Sequence, residues 1–275
     1  MPELHEVQTI VSNLRYGTAD HASLLGLKIS SAQLFWVRTL AMPQPDEFFI
    51  RVASQHIDEI RRRGKFVVFA LDQEFLLFHL RMSGDLMVEA ADAPLLPHHR
   101  LILNLENNLR LSFNDPRKFG RVWLTSQPEI VLGNLGPEPL EPGLTTQEFY
   151  QQLAAHRRQL KPLLLDQSFL AGVGNIYADE ALHLARLHPL VRADSLNFEQ
   201  AELLLGSIRS VLQEGIHRNG ASIDWVYRGG EFQNYFRVYQ RTGEPCNNCG
   251  TPIQRLVIGQ RGTHYCPNCQ QIPSD

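Results

Sequence analysis

The sequence predicts an α+β protein in two parts: an N-terminal helix with a β-sandwich domain, then a C-terminal helical domain that ends in a four-cysteine hairpin. Three observations carry this. Leu4, Val7, Ile10, Val11 and Leu14 recur at helical spacing. Residues 26–125 hold short apolar runs separated by turn signals. All four cysteines fall in the last 30 residues, behind a stretch of helical pattern.

Element by element, the chain starts Met1-Pro2-Glu3-Leu4. Methionine before so small a ring is expected to be trimmed, leaving Pro2 as a free secondary amine beside a helix start. Such an amine can attack an aldehyde-like carbon to form an iminium. The positive end of the helix dipole disfavours its protonated form. Glu3 and Glu6 share one face of the first turn and can handle protons beside it. A proline with acidic neighbours is also an ordinary helix start.

Next come two expected hairpins. One is Lys65–Leu71, a turn at Asp72-Gln73, then Phe75–Leu80; the other is Leu101–Leu105, a turn at Asn107-Asn108, then Leu109–Phe113. Strands at this spacing suggest a sandwich or flattened barrel. Gly133 to Gly143, with three prolines, reads as a linker. From Thr145 to about His217 the pattern is helical, and from Gln233 it reads as short strands around the cysteines. The expected domains are therefore 1–132, a linker at 133–143, a helical domain over 144–232, and a hairpin over 233–275.

Composition sets bounds. A chain of 275 residues, 43% hydrophobic and 20% charged, suits two ordinary globular cores. No basic start precedes an apolar run, and no stretch reaches membrane-spanning length, so a cytoplasmic location is expected; the two-domain chain is expected to act as a monomer. A net charge of −3 argues against nucleic-acid binding by bulk charge. Local basic clusters remain: Arg61-Arg62-Arg63-Gly64-Lys65, Arg117-Lys118 with Arg121, and Arg157-Arg158 with Lys161.

Cys246-x-x-Cys249 and Cys266-x-x-Cys269, 16 residues apart, have the spacing of a zinc ribbon. Each pair forms a tight knuckle, and the hairpin between them brings the second to complete a tetrahedron. Two disulfides are the alternative, disfavoured in a cytosolic chain. Four thiolates leave no open position, so one structural Zn2+ per chain is expected, without catalytic duty.

Several motifs occur in order: Pro2-Glu3-Leu4-x-Glu6-Val7, Lys65 after a basic run, His79-Leu80-x-Met82-Ser83-Gly84, Asp115-Pro116-Arg117-Lys118-Phe119-Gly120, Leu135-Gly136-Pro137-Glu138-Pro139-Leu140 and Gly172-Val173-Gly174-Asn175-Ile176-Tyr177, then the cysteine hairpin. Together they resemble the bacterial formamidopyrimidine-DNA glycosylases over essentially the whole chain. The resemblance implies excision of oxidised purines such as 8-oxoguanine from damaged double-stranded DNA, followed by β- and δ-elimination at the abasic site. It implies Pro2 as the nucleophile and Glu3 as the acid that opens the sugar. Lys65 matches the lysine beside the lesion phosphate, with a part in proton transfer. Arg261 matches the arginine that grips the flanking phosphates and takes part in δ-elimination.

Met82, Arg117 and Phe119 match the residues that fill the gap left by a flipped base. Asn175 matches a phosphate contact at a helix start within a helix–two-turn–helix element. Lys161 and His98 match further DNA contacts. By residue type alone, Met82 and Phe119 also fit core packing, and Lys65 a strand-edge lysine.

The chain departs from the family pattern at His5, where proline is usual, and at Arg81, where glycine is usual. A second DNA-contacting lysine falls near His156-Arg157 and is left unassigned. The stretch over 220–239, a lid in the family, looks short. Two rivals follow. Endonuclease VIII-like enzymes share the Pro2-Glu3 start and the ribbon but act on oxidised pyrimidines; Leu4 and the Met82/Arg117/Phe119 set favour the purine enzyme. A non-catalytic zinc-ribbon DNA-binding protein would bind DNA without needing Pro2.

Overall fold

The computed structural model describes residues 2–218, 220–221 and 230–272. The chain folds as two compact units that divide between Asn134 and Leu135.

In the first unit, α1 (Leu4–Tyr16) buries Leu4, Val7, Ile10, Val11 and Leu14, the stripe read from the sequence. Burying each such side chain contributes about 1.5–3 kcal/mol. Gly17 ends the helix at φ 81°, its N–H on the Asn13 carbonyl at 2.9 Å. A Cβ there would stand 2.8 Å from the His21 carbonyl oxygen, so the turn admits only glycine.

There follow β1 (Ile29–Leu34), β2 (Leu40–Met42), α2 (Pro45–Val52), β3 (Ile57–Arg63), β4 (Phe66–Leu71), β5 (Phe75–His79), β6 (Asp85–Ala90), β7 (His99–Leu105), β8 (Leu109–Asn114), β9 (Arg121–Thr125) and the short α3 (Glu129–Leu132). One sheet runs β1-β7-β8-β6 and the other β2-β9-β5-β4-β3. Phe78 of the second sheet meets Phe113 of the first edge-on, with ring centroids 5.6 Å apart, and Phe69 packs on Phe78 likewise at 5.6 Å. The core therefore lies between two layers, as a sandwich requires.

Both expected hairpins form. Asn107 and Asn108 each take φ 58°, the left-handed pair that a two-residue hairpin turn needs. A further hairpin joins β3 to β4, so Lys65 lies in the Gly64-Lys65 turn rather than in a strand. α2 falls inside the stretch read as β. Its signals are Pro45 at the first turn, Asp46 and Glu47 beside it, and buried Phe48 and Val52 one turn apart.

The second unit holds α4 (Thr146–Ala154), α5 (Leu160–Leu164), α6 (Asn175–Leu184), α7 (Phe198–His217), β10 (Gln254–Ile258) and β11 (Arg261–Tyr265). Capping boxes open α4, from Thr145 and Glu148, and α7, from Asn197 and Gln200. The expected linker is instead packed on these helices: Gly136 N–H donates to the Gln167 carbonyl at 2.9 Å, and Arg209 Nε to the Pro139 carbonyl at 2.7 Å. Prolines there fix a path over a surface; they do not free the chain. The tail also differs from expectation. It has a 3-10 turn at Phe232–Tyr235 and, among the described residues, only β10 and β11 as strands. The proposed lid over 220–239 falls partly outside the described residues. Among these, no helix is long and apolar enough to cross a membrane.

Candidate active site and nucleic-acid interface

Pro2 and Glu3 stand immediately before α1, and both are buried. The Glu3 N–H donates to Glu6 Oε2 at 2.6 Å, and the other oxygen of Glu6 pairs with His5 Nε2. Two buried carboxyl groups, those of Glu3 and Glu6, therefore sit together beside Pro2 at the start of α1. His5, the departure from the family pattern, is fully buried and holds Glu6 in place. α1 is tied to β3 through Arg62 Nε, which donates to Gln8 Oε1 at 3.1 Å. The same hairpin carries the buried Lys65 in its turn.

Register shows how the remaining residues of this unit gather. Phe66 pairs with His79 and His79 with Arg121; Asp85 pairs with Asn114 and Asn114 with His99. The Lys65 turn, the Met82 loop, the loop before β7 with His98, and the Asp115–Gly120 loop thus share one end of the sandwich. His98 is exposed, and its carbonyl accepts from the Asp115 N–H at 2.8 Å. Met82 and Phe119 are 36% and 48% exposed, so neither packs the core. The Arg117 guanidinium lies over the Phe119 ring at 5.0 Å.

In the second unit α6 organises everything. Asn175 Nδ2 donates to the Gly262 carbonyl at 3.0 Å, which fastens the helix start to the β10–β11 hairpin beside the exposed Arg261. Asn175 Oδ1 is buried without a hydrogen-bond partner among the described residues. Asp179 accepts from His264, its N–H at 2.9 Å and its Nδ1 at 3.1 Å. Glu180 accepts the N–H groups of Arg237, Val238 and Tyr239 at 2.8, 2.9 and 2.9 Å. Burial pushes the Glu180 carboxyl up, and these three donors oppose it.

Lys161 is fully buried, its ammonium held by Asp179 and, at 2.8 Å, by the Asn175 carbonyl, so it clamps α5 to the start of α6. Asp179 and Glu180 were not singled out from the sequence, and Ser83 and Asp115 appeared there only as motif members without a role, because their partners lie far along the chain. The acidic pair inside an otherwise apolar helix is the one local signal that could have found the first two.

The four cysteine sulfurs lie within 4.8 Å of one another, with Cys249–Cys266 at 3.4 Å and Cys246–Cys269 at 3.9 Å. A tetrahedron with Zn–S bonds of about 2.3 Å has edges of about 3.8 Å. The donor set therefore fits one zinc ion held as four thiolates. Hydrogen bonds from Thr251, its side chain first, and Asn268 draw the Cys249 thiol down to about 5, whereas burial pushes the Cys266 and Cys269 thiols up. His183 Nε2 stands 3.5 Å from Cys246 Sγ and joins α6 to the knuckle.

Comparison with known proteins agrees with this geometry. Residues 1–122 match the formamidopyrimidine-DNA glycosylase N-terminal domain, 135–226 its H2TH domain, and 243–272 a zinc finger found in FPG and IleRS. A formamidopyrimidine-DNA glycosylase of Protochlamydia amoebophila is 43% identical over 98% of this chain and all of its own length. One from Herpetosiphon aurantiacus is 42% identical with the same coverage. The Lactococcus lactis Fpg, solved with DNA containing an abasic site, superposes with TM-score 0.90 at 34% identity, covering 98% of this chain and 100% of that one. A MutM structure with DNA containing carbocyclic 8-oxo-G superposes equally well, at 35% identity.

Fold and site together define a DNA-repair glycosylase of the zinc-hairpin class. Domain order and identity along the full length narrow the assignment further. The chain belongs to the formamidopyrimidine-DNA glycosylase family.

Proposed function

We propose that this protein removes oxidised purines, 8-oxoguanine and formamidopyrimidines, from duplex DNA and then cuts the strand through an N-terminal imine. The observation that carries the reading is the start of α1, where Pro2 and Glu3 are buried together with Glu6 bonded to the Glu3 N–H. Once Met1 is removed, the Pro2 nitrogen attacks the sugar carbon bearing the damaged base. A C–N bond forms, the glycosidic bond breaks, and the base leaves with the electron pair and takes up the proton that the Pro2 nitrogen gives up. Glu3 gives its proton to the ring oxygen, and the open sugar is held as an iminium. The positive charge acidifies the neighbouring sugar proton; its removal, with Lys65 at hand, expels one phosphate, and δ-elimination under Arg261 expels the other. The zinc serves as a brace for the hairpin that aims Arg261.

Exposure of Met82 and Phe119 supports their insertion where the base has left, with Arg117 turned to the widowed partner. The relatives' names and the lesion-containing DNA in the solved structures support the substrate class. Their bacterial sources support a cytoplasmic enzyme working on the nucleoid. Single-turnover excision from duplexes with 8-oxoguanine opposite cytosine, compared with thymine glycol, tests the substrate. Faster release of 8-oxoguanine is expected, and the reverse order would assign an endonuclease VIII-like preference.

A further inference from the structure

The end of the sandwich that carries Met82 holds two arginines to which the fold gives no acidic partner. Arg81 takes φ 56°, a left-handed conformation that glycine adopts freely and that strains an arginine. Its N–H donates to His79 Nδ1 at 3.1 Å, and His79 stands directly across from Arg121 in the β5–β9 register. Arg121 Nη1 reaches only the Gly120 carbonyl, at 3.2 Å. Among the described residues neither guanidinium makes an ion pair, although Arg51, Arg110 and Arg158 each bind a carboxylate. Two acids stand in this loop region: Asp115, occupied by Ser83 and by the Arg117 and Gly120 N–H groups, and Asp85, which accepts the Leu86 N–H and is pushed up to about 6 by burial, and neither pairs with these arginines.

The cations also feel each other. Burial first, then Arg121, lowers the Arg81 guanidinium from its ordinary range. Burial, then Arg81, then Lys65 hold His79 at about 3, so the ring at the centre of this cluster is neutral and relieves none of the charge. A chain with net charge −3 has carboxylates to spare, yet it keeps strain and like-charge repulsion at this spot. Strain and repulsion retained together mark a site whose counter-charge comes from outside.

We infer that Arg81 and Arg121 form a phosphate-binding pair that grips the DNA backbone beside the Met82 loop, extending the contact expected of Lys65. The inference rests on the proposed function, since the ligand is a DNA phosphodiester. Guanidinium forks suit it because they offer paired donors to two phosphate oxygens. Each contact releases about one counterion, so the pair sets part of the salt dependence of binding.

The test is the affinity for a duplex with a tetrahydrofuran abasic analogue, followed from about 50 to 200 mM salt by fluorescence anisotropy. Arg81→Gln and Arg121→Gln should each lower the log–log salt slope by about 0.9, and the double variant by about 1.8. Arg81→Gly, which suits the left-handed backbone, should lose the same slope as Arg81→Gln while unfolding at higher temperature. Arg51→Gln, in α2 and paired with Glu74 before the opposite end of β5, should leave the slope alone. Unchanged slopes in Arg81→Gln and Arg121→Gln, with the wild type bound, would overturn the pair and leave the proposed function standing. A wild type that does not bind the duplex would overturn both.

Discussion

The hydroxyl of Ser83 donates to the carboxylate of Asp115 and accepts the Arg117 N–H at 3.2 Å, and these two contacts join the loop carrying Met82 to the loop carrying Arg117 and Phe119. Asp115 is fully buried and also accepts the Gly120 N–H at 2.7 Å and the Arg117 N–H at 3.2 Å. Gly120 is required there, because a Cβ would stand 2.3 Å from the Phe113 ring. The exposed residues are therefore aimed by buried ones. Ser83→Ala should cost about 1 kcal/mol and Asp115→Ala about 3 kcal/mol, the latter leaving N–H donors unsatisfied. Both should slow excision of 8-oxoguanine more than cleavage at a preformed abasic site, measured in single turnovers. Equal slowing of the two steps would remove the loops from base extrusion.

The cysteine hairpin carries Arg261 and is bonded to Asn175, so metal loss should disarm both. Cys246→Ser should lower bound zinc from one per chain toward none, by elemental analysis, and abolish binding to the abasic-analogue duplex. Retained DNA binding in a zinc-free variant would contradict the bracing role.

Lys161 and Asp179 form a buried ion pair with both side chains fully enclosed. Removing one charge strands the other, at a typical cost of 3–5 kcal/mol. Lys161→Ala should lower the thermal midpoint steeply, whereas a lysine whose only duty was DNA contact would leave it unchanged and reduce the salt slope.

α7 crosses α6 closely at Gly215, where an added Cβ would meet the Tyr177 hydroxyl oxygen at 2.3 Å. Gly215→Ala should therefore destabilise by about 1–3 kcal/mol, despite alanine's better helix propensity. Denaturant unfolding measures it, and a stabilised variant would show that the ring can yield.

His79 gives a pH dependence with a definite sign. Its folded-state pKa, about 3, lies below the ordinary 6.5, so between these values the unfolded chain binds a proton that the folded chain refuses. Its contribution is fully present above about 6.5 and is lost as pH falls toward 3. The slope from this group is at most about 1.4 kcal/mol per pH unit. His79→Gln should flatten the stability profile over that window, and an unchanged profile would show that the imidazole titrates normally.

The parts of the fold legible in the sequence were those set by local spacing. The α1 stripe, the Asn107-Asn108 turn and the two Cys-x-x-Cys knuckles each depend on residues a few positions apart. α2 was hidden because its two buried residues, Phe48 and Val52, make too short a period inside a stretch of strands. The burial of Lys161 was hidden because its partner Asp179 lies 18 residues away on another helix. The linker prolines were misread for the same reason, as their carbonyls bond to Arg209 on α7 and to Ala171. Pairing across such distances is decided by packing, which a residue pattern does not display.

The central claim is that the Pro2 nitrogen makes a covalent bond to the damaged nucleotide. Borohydride added to the protein with a duplex carrying one 8-oxoguanine opposite cytosine reduces an iminium irreversibly and leaves a protein–DNA band. The band is expected with the wild type and should vanish with Pro2→Gly, while the variant still binds the duplex. A band of undiminished intensity in Pro2→Gly, or none from the wild type on either 8-oxoguanine or abasic-site DNA, would contradict the assignment of Pro2 as nucleophile.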